Sequence, residues 1–224
     1  MKREYLMDAN DAFKKMVLAW LRPNLCGLRA VPMITEEPGR WGDEDWNTYA
    51  EILGIPVDWV LLRNEQFCGR NAAVGDYFAR LRGAADGPAD ILQQCADLLV
   101  DPDTGLSETG GGTTHLNASE LALLLGGGTN GRVVVVYQHA NRNRGQIGGD
   151  LQRRCNSVAR AMQPLNRCWA FAVVASSITL LLFSRDRGRL EGLRELCVAG
   201  LRGLAHDRLT CIVEGGRALA FADP

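Results

Sequence analysis

Two short segments carry the residues best suited to chemistry. Leu98-Leu99-Val100 runs into Asp101-Pro102-Asp103, and the valine run Val133 to Val136 leads into Tyr137-Gln138-His139. Both read as buried strands that end in polar side chains. Ligands in open α/β sheets bind beyond the carboxyl ends of the strands. If the two strands are neighbours, Asp101, Asp103, Tyr137 and His139 face one crevice. Asp101, Asp103 and His139 are therefore the candidate catalytic residues.

Three chemistries suit the acidic pair. Two nearby carboxylates bind a divalent cation through oxygen, and the metal then activates water or clamps a phosphate. Alternatively, one carboxylate and the proline carbonyl accept hydrogen bonds from an amino group and orient it for alkyl transfer. Finally, the pair splits into a general acid and a general base. The residues alone leave the three open, and no metal ligands are assigned. A purely structural reading also stands: Asp103 caps a strand-end turn and Gly105 supplies a positive φ. His139 is the one histidine at a predicted strand end, and histidine titrates near neutral pH. His115 is placed in a loop and His206 near a helix end.

The elements that must position these groups follow from periodicity. Phe13, Met16, Val17 and Trp20 recur at helical spacing until Pro23, with Asp8 or Asn10 as the cap. "GLRAVPMIT" (Gly27 to Thr35) reads as a strand, and Asp45 to Leu53 as a short helix. Between Pro56 and Asp90 the pattern is weak, with one helical stretch, "AVGDYFARLRGA". "DLLVD" is a short strand. "NASELALLL" opens a helix with Asn117 and Glu120 in capping-box spacing. "RVVVVYQH" is β-branched throughout its core, which predicts an interior parallel strand. Leu151, Cys155, Val158 and Met162 form one helical face, and Leu190, Leu193, Cys197, Leu201 and Leu204 another. "WAFAVV" and "ITLLLF" flank Ala175-Ser176-Ser177 as a hairpin. Residues 205–224 read as a terminal hairpin around Gly215-Gly216. Alternating strands and helices predict a single α/β domain over residues 1–224, a Rossmann-like three-layer fold with a mainly parallel sheet and late antiparallel strands.

The most basic stretch follows His139. Arg142, Arg144 and Arg153 are its candidate phosphate contacts, against the simpler reading of a solvated helix face. No aromatic residue is interleaved, so base stacking is not indicated there. Gly110 to Gly112 lie between strand and helix, where backbone N–H groups can cradle an anion. Gly126 to Gly131 precede a strand, so they fail the dinucleotide pattern.

Composition bounds the rest. With 46% hydrophobic and 23% charged residues, the 224-residue chain is expected to fold. A net charge of -1 argues against a strong non-specific nucleic-acid binder. Seven cysteines, none in C-x-x-C spacing, and a polar start without a leader predict a reducing, cytoplasmic setting. The longest apolar tract, Cys168 to Phe183, is too short for a comfortable membrane span.

The segments "YLMDANDAFKKMVLAWL", "LLVDPDTGL" and "VVVVYQH" resemble an uncharacterised group of bacterial and phage proteins with D-P-D-x-G-L and Y-Q-H segments. More distantly, the layout resembles class I S-adenosylmethionine-dependent methyltransferases of the rRNA adenine-N6 type. That resemblance implies that Asn10 and Lys14, in a helix-opening segment, touch the cofactor, with Tyr137 beside them. Asp101-Pro102 matches the first half of the family's D/N-P-P-Y/F motif, which holds the target amine. Asp103 stands where that motif has its second proline, and Thr104 where it has the aromatic residue that stacks on the base. A glycine-rich turn after the first strand is missing.

Three functions follow as expectations. The first is a methyltransferase-like protein acting on nucleic acid or a nucleotide, with S-adenosylmethionine as cofactor. The second is a divalent-metal-dependent nuclease or phosphoesterase. The third is a non-catalytic module that binds a nucleotide or a partner.

Overall fold

The computed structural model describes residues 3, 6–35, 37–61, 63, 96–108, 115–126, 131–139, 147–162, 168–174, 178–203 and 219–222. The helix expected from the Phe13, Met16, Val17 and Trp20 spacing is α1 (Ala9–Leu21), and Asp8 is its cap, accepting from the backbone N–H groups of Asn10 and Asp11. The "GLRAVPMIT" strand is β1 (Arg29–Pro32), with Pro32 at its end, a position where a missing donor costs least. The short helix is α2 (Asp43–Leu53), stopped by Gly54 in the left-handed region. Beyond it, "VDWVLLR" resolves into a 3-10 turn over Val57–Trp59 and a single bridge from Ala30 to Val60.

"DLLVD" is β2 (Leu98–Asp101). Two three-residue strands follow, β3 (Gly105–Ser107) and β4 (His115–Asn117), paired parallel as a small second sheet. His115 is therefore in a strand and not in a loop. The helix α3 (Ala118–Gly126) carries half of the expected capping box. Glu120 accepts from the Asn117 N–H at 2.7 Å, whereas the buried Asn117 Oδ1 has no partner among the described residues. "RVVVVYQH" gives β5 (Val133–His139). The two leucine- and cysteine-bearing stripes become α4 (Ile147–Ala161) and α5 (Arg187–Gly203). The hairpin strands are β6 (Trp169–Val174) and β7 (Ile178–Ser184). Of the terminal hairpin, β8 (Leu219–Ala222) is present and pairs with β6. Its expected partner, Leu209 to Glu214, lies outside the described residues, as do "AVGDYFARLRGA" and Gly110 to Gly112.

The six-stranded sheet has the order β1-β2-β5-β7-β6-β8. β1, β2 and β5 are parallel neighbours, and β7 inserts antiparallel between β5 and β6. Four of the six strands thus run one way, β7 and β8 the other. β5 is interior as expected, but it is parallel to its neighbour on only one side. Its valines are fully buried because helices cover both sheet faces. Val134 and Val136 belong to the core cluster that includes α3 and α4, and Val133 and Val135 to the one that includes α1, α2 and α5. No described helix is long and apolar enough to cross a membrane.

Candidate functional site

The sheet places the two polar strand ends side by side. Val100 is in register with Val136, so the next residues out are Asp101 and Tyr137. Beyond this rim, α1 crosses with its first turn. A cavity of about 270 Å³ opens among them, lined by Asp8, Asn10, Asp11, Lys14, Asp101, Asp103, Tyr137 and His139, with Leu6, Trp41 and Pro102 as apolar wall. Five of the proposed site residues from three distant segments therefore share this space with Asn10.

Asp101 departs from expectation. A strand-end carboxylate was expected to be open to a ligand, yet Asp101 is 1% exposed. Its Oδ2 accepts from Lys14 Nζ at 2.8 Å and from the Tyr49 hydroxyl at 3.1 Å. Lys14 also meets Asp11 Oδ1 at 3.1 Å. The physical reason is helical spacing. Lys14 sits three, four and seven residues before Val17, Leu18 and Leu21, on the stripe that α1 buries. An ammonium there must find anions, and Asp11 one turn back and Asp101 across the rim supply them.

The protonation states follow from the pairing. Burial opposes a charge on Lys14, but Asp101 and Asp11 outweigh it and push the ammonium above its usual range. Burial raises the Asp11 carboxyl, against the pull of Lys14. Lys14 also lies over the Tyr137 ring, 4.3 Å from its centroid. Burial raises the Tyr137 phenol, with Asp101 adding to the effect and Lys14 opposing it, so Tyr137 stays protonated. Lys14 was expected to touch a cofactor. It lines the cavity, and its ammonium pairs with the two carboxylates of Asp11 and Asp101.

The Tyr137-Gln138-His139 run has a second task, which is to shape the loop after β2. Gln138 Oε1 accepts from the Leu106 N–H at 2.8 Å, and its Nε2 donates to the Thr104 carbonyl at 3.2 Å. His139 Nε2 lies 3.0 Å from the Asp103 carbonyl. A carbonyl only accepts, so Nε2 carries the proton. In the neutral ring, Nδ1 then accepts from the Tyr137 hydroxyl at 3.5 Å. The catalytic expectation for His139 thus meets a ring already holding the acidic loop. Asp103, half-buried, receives a hydrogen bond from the Thr35 hydroxyl at 3.4 Å.

Gly105 completes that loop with φ +119°, as the structural reading of the turn expected. A Cβ on it would lie 2.3 Å from Gln138 Oε1. Gly105→Ala is therefore expected to cost about 1–3 kcal/mol, from backbone strain plus the clash. Urea unfolding measures it. Gln138→Ala has its own cost, since it removes the acceptor of the Leu106 N–H. In that background Gly105→Ala should cost less than in the wild type, because the clash is gone and only the backbone strain remains.

The arginine expectations fare differently. Arg153, on α4, pairs with Asp150 and with Glu108, 3.7 Å away. It does not line the cavity. Arg142 and Arg144 lie outside the described residues. Two contributors escaped the sequence reading. Tyr49 and Trp41 were merely part of a short helix and a polar loop. Among the described residues, no group of three or more His, Cys, Asp or Glu side chains is placed to hold a metal ion. Comparison with protein families, curated proteins and solved structures finds no match.

Proposed function

We propose that this chain is a methyltransferase-like, Rossmann-like α/β protein that takes S-adenosylmethionine and acts on nucleic acid or a nucleotide. One observation carries the reading. The helix-opening segment, the Asp101-Pro102-Asp103 strand end and Tyr137 with His139 all line a single cavity, although they are scattered over the chain. The position of Asp101-Pro102 at the end of an interior strand, and the β6–β7 antiparallel pair, agree with the same family.

The donor and acceptor set fits such a cofactor. Four aspartates line the cavity, and the one lysine among them is spent on two of the four. Anionic phosphate is disfavoured here, whereas a cation with amino and hydroxyl donors is favoured. Asn10, Asp103 and Asp8 would hold those donors, and Tyr137 would form part of the wall. When bound, S-adenosylmethionine supplies an electrophilic methyl group. The chain's own contribution is orientation: both donors to Asp101 land on Oδ2, so Lys14 and Tyr49 fix how that carboxylate meets an acceptor amine. The acceptor's phosphates stay outside the acidic cavity.

Isothermal titration with S-adenosylmethionine and S-adenosylhomocysteine tests this. Saturable one-to-one binding below millimolar is expected, with Asp103→Ala weakening it about tenfold, roughly 1.4 kcal/mol. Absence of binding at millimolar ligand removes the reading. The non-catalytic alternative draws on the deep burial of Asp101. It predicts binding without methyl transfer to adenine-containing RNA or nucleotide.

A further inference from the structure

We propose that Trp41 is the surface on which the ligand of this cavity stacks a nucleobase. The inference rests on the ligand reading above and names the part of the ligand that this residue recognises. Trp41 lines the cavity, yet it is only 6% exposed. Its ring stacks on Trp46, with centroids 4.6 Å apart and planes 27° apart. Tyr49 meets both indoles edge-on, at 6.4 Å. The Trp41 Nε1–H is buried without a partner among the described residues. Ring packing, not hydrogen bonding, therefore holds this side chain.

Trp41 lines the cavity with two aromatic residues packed against it, and would present a rigid aromatic wall to one more ring. Rigid aromatic surfaces bind planar partners at low entropic cost. The other walls are acidic. The ligand that satisfies both has a planar heteroaromatic ring at one end and a cationic or donor-rich group at the other. Thr104 provides no ring within the Asp101-Pro102-Asp103-Thr104 segment. Trp41, from the segment before α2, supplies the aromatic surface instead. The ring belongs to the cofactor or to the acceptor substrate, and the chemistry of recognition is the same.

The test uses the full chain and three probes: adenosine, S-adenosylhomocysteine, and S-methylmethionine, a sulfonium without a base. Trp41→Leu is expected to weaken adenosine and S-adenosylhomocysteine by about tenfold or more, with Trp41→Phe within about threefold of the wild type. S-methylmethionine should bind all three proteins equally. Displacement of adenosine by S-adenosylhomocysteine assigns the stacked ring to the cofactor, and simultaneous binding assigns it to the acceptor.

Unchanged binding of both base-containing probes by Trp41→Leu overturns the role of Trp41 and leaves the cofactor reading standing. So does an equal loss for S-methylmethionine, which would mark a general structural defect. Adenosine binding that depends on Trp41, in a protein that ignores S-adenosylhomocysteine, keeps the stacking surface and removes the cofactor reading. Failure of the wild type to bind either base-containing probe overturns both. Should Trp41→Leu not fold, saturation-transfer NMR on the wild type decides. Strongest transfer to the adenine ring protons supports the proposal, and strongest transfer to the ribose or the aliphatic chain overturns it.

Discussion

Lys14→Met is expected to cost about 3–5 kcal/mol at neutral pH, because it leaves buried carboxylates without their cation. The methionine fills nearly the same volume, so little of the loss comes from packing. Asp11 and Asp101, at 5% and 1% exposure, then lose the cation that lies between them. Chemical denaturation at pH 7 measures the change. A loss under 1 kcal/mol, the size of an exposed pair, would mean that water reaches the triad.

The pH profile separates lost charge from lost packing. In the wild type the Lys14 ammonium is held above its usual value of 10.5. Its stabilisation is fully present below that value and fades as pH rises through the higher folded one. In the variant the Asp11 carboxyl, already raised by burial, loses the cation that pulls it down. A carboxyl held above its usual value of 3.8 favours folding only while it is protonated. The variant therefore gains on the wild type in acid and falls behind as pH rises through the folded value. The gap should be smaller at pH 4 than at pH 7. A packing defect would give a gap independent of pH.

The rim of the sheet was legible because its signals are local. A run of valines announces burial on both faces, and Pro102 announces where the strand stops. The neighbour relation of β2 and β5 follows from parallel α/β logic. The insertion of β7 between β5 and β6 does not, since nothing in "ITLLLF" states which edge it will join. β3 and β4 were missed because three residues are too few for a period. The Lys14–Asp101 pair spans 87 residues in sequence, and a helical stripe read as Phe13, Met16, Val17 and Trp20 gave no sign of it. The buried stripe is instead Val17, Leu18 and Leu21 with Lys14 in phase, and a lysine there needs an anion to meet it. Tyr49 and Trp41 carried no mark either, because aromatic residues near a short amphipathic helix read equally well as ordinary core.

Asp97→Ala is the other change with a large expected effect, about 3–5 kcal/mol, and it acts at the opposite end of β2. Asp97 is fully buried. It accepts from the backbone N–H of Cys26 at 2.7 Å and of Val133 at 2.8 Å, and it pairs with Arg189 of α5. One carboxylate thus ties together the approach to β1, the first residue of β5 and the helix behind them. Burial raises its carboxyl, opposed by the Val133 and Cys26 N–H groups and by Arg189. Alanine would strand the buried Val133 N–H, take the acceptor from the part-buried Cys26 N–H, and unpair an arginine that is 20% exposed. A stranded buried backbone donor such as the Val133 N–H costs about 1–3 kcal/mol, and the lost arginine pair adds to it. Asp97→Asn keeps an acceptor for one N–H and should cost less. The two ends of a four-residue strand lie about 13 Å apart, beyond the range at which substitutions usually couple. Asp97→Ala should therefore lower the unfolding midpoint while leaving ligand affinity at the cavity unchanged below that midpoint. A parallel loss of affinity would show that the strand transmits the damage to its far end, and that β2 is not the rigid support on which the placement of Asp101 depends.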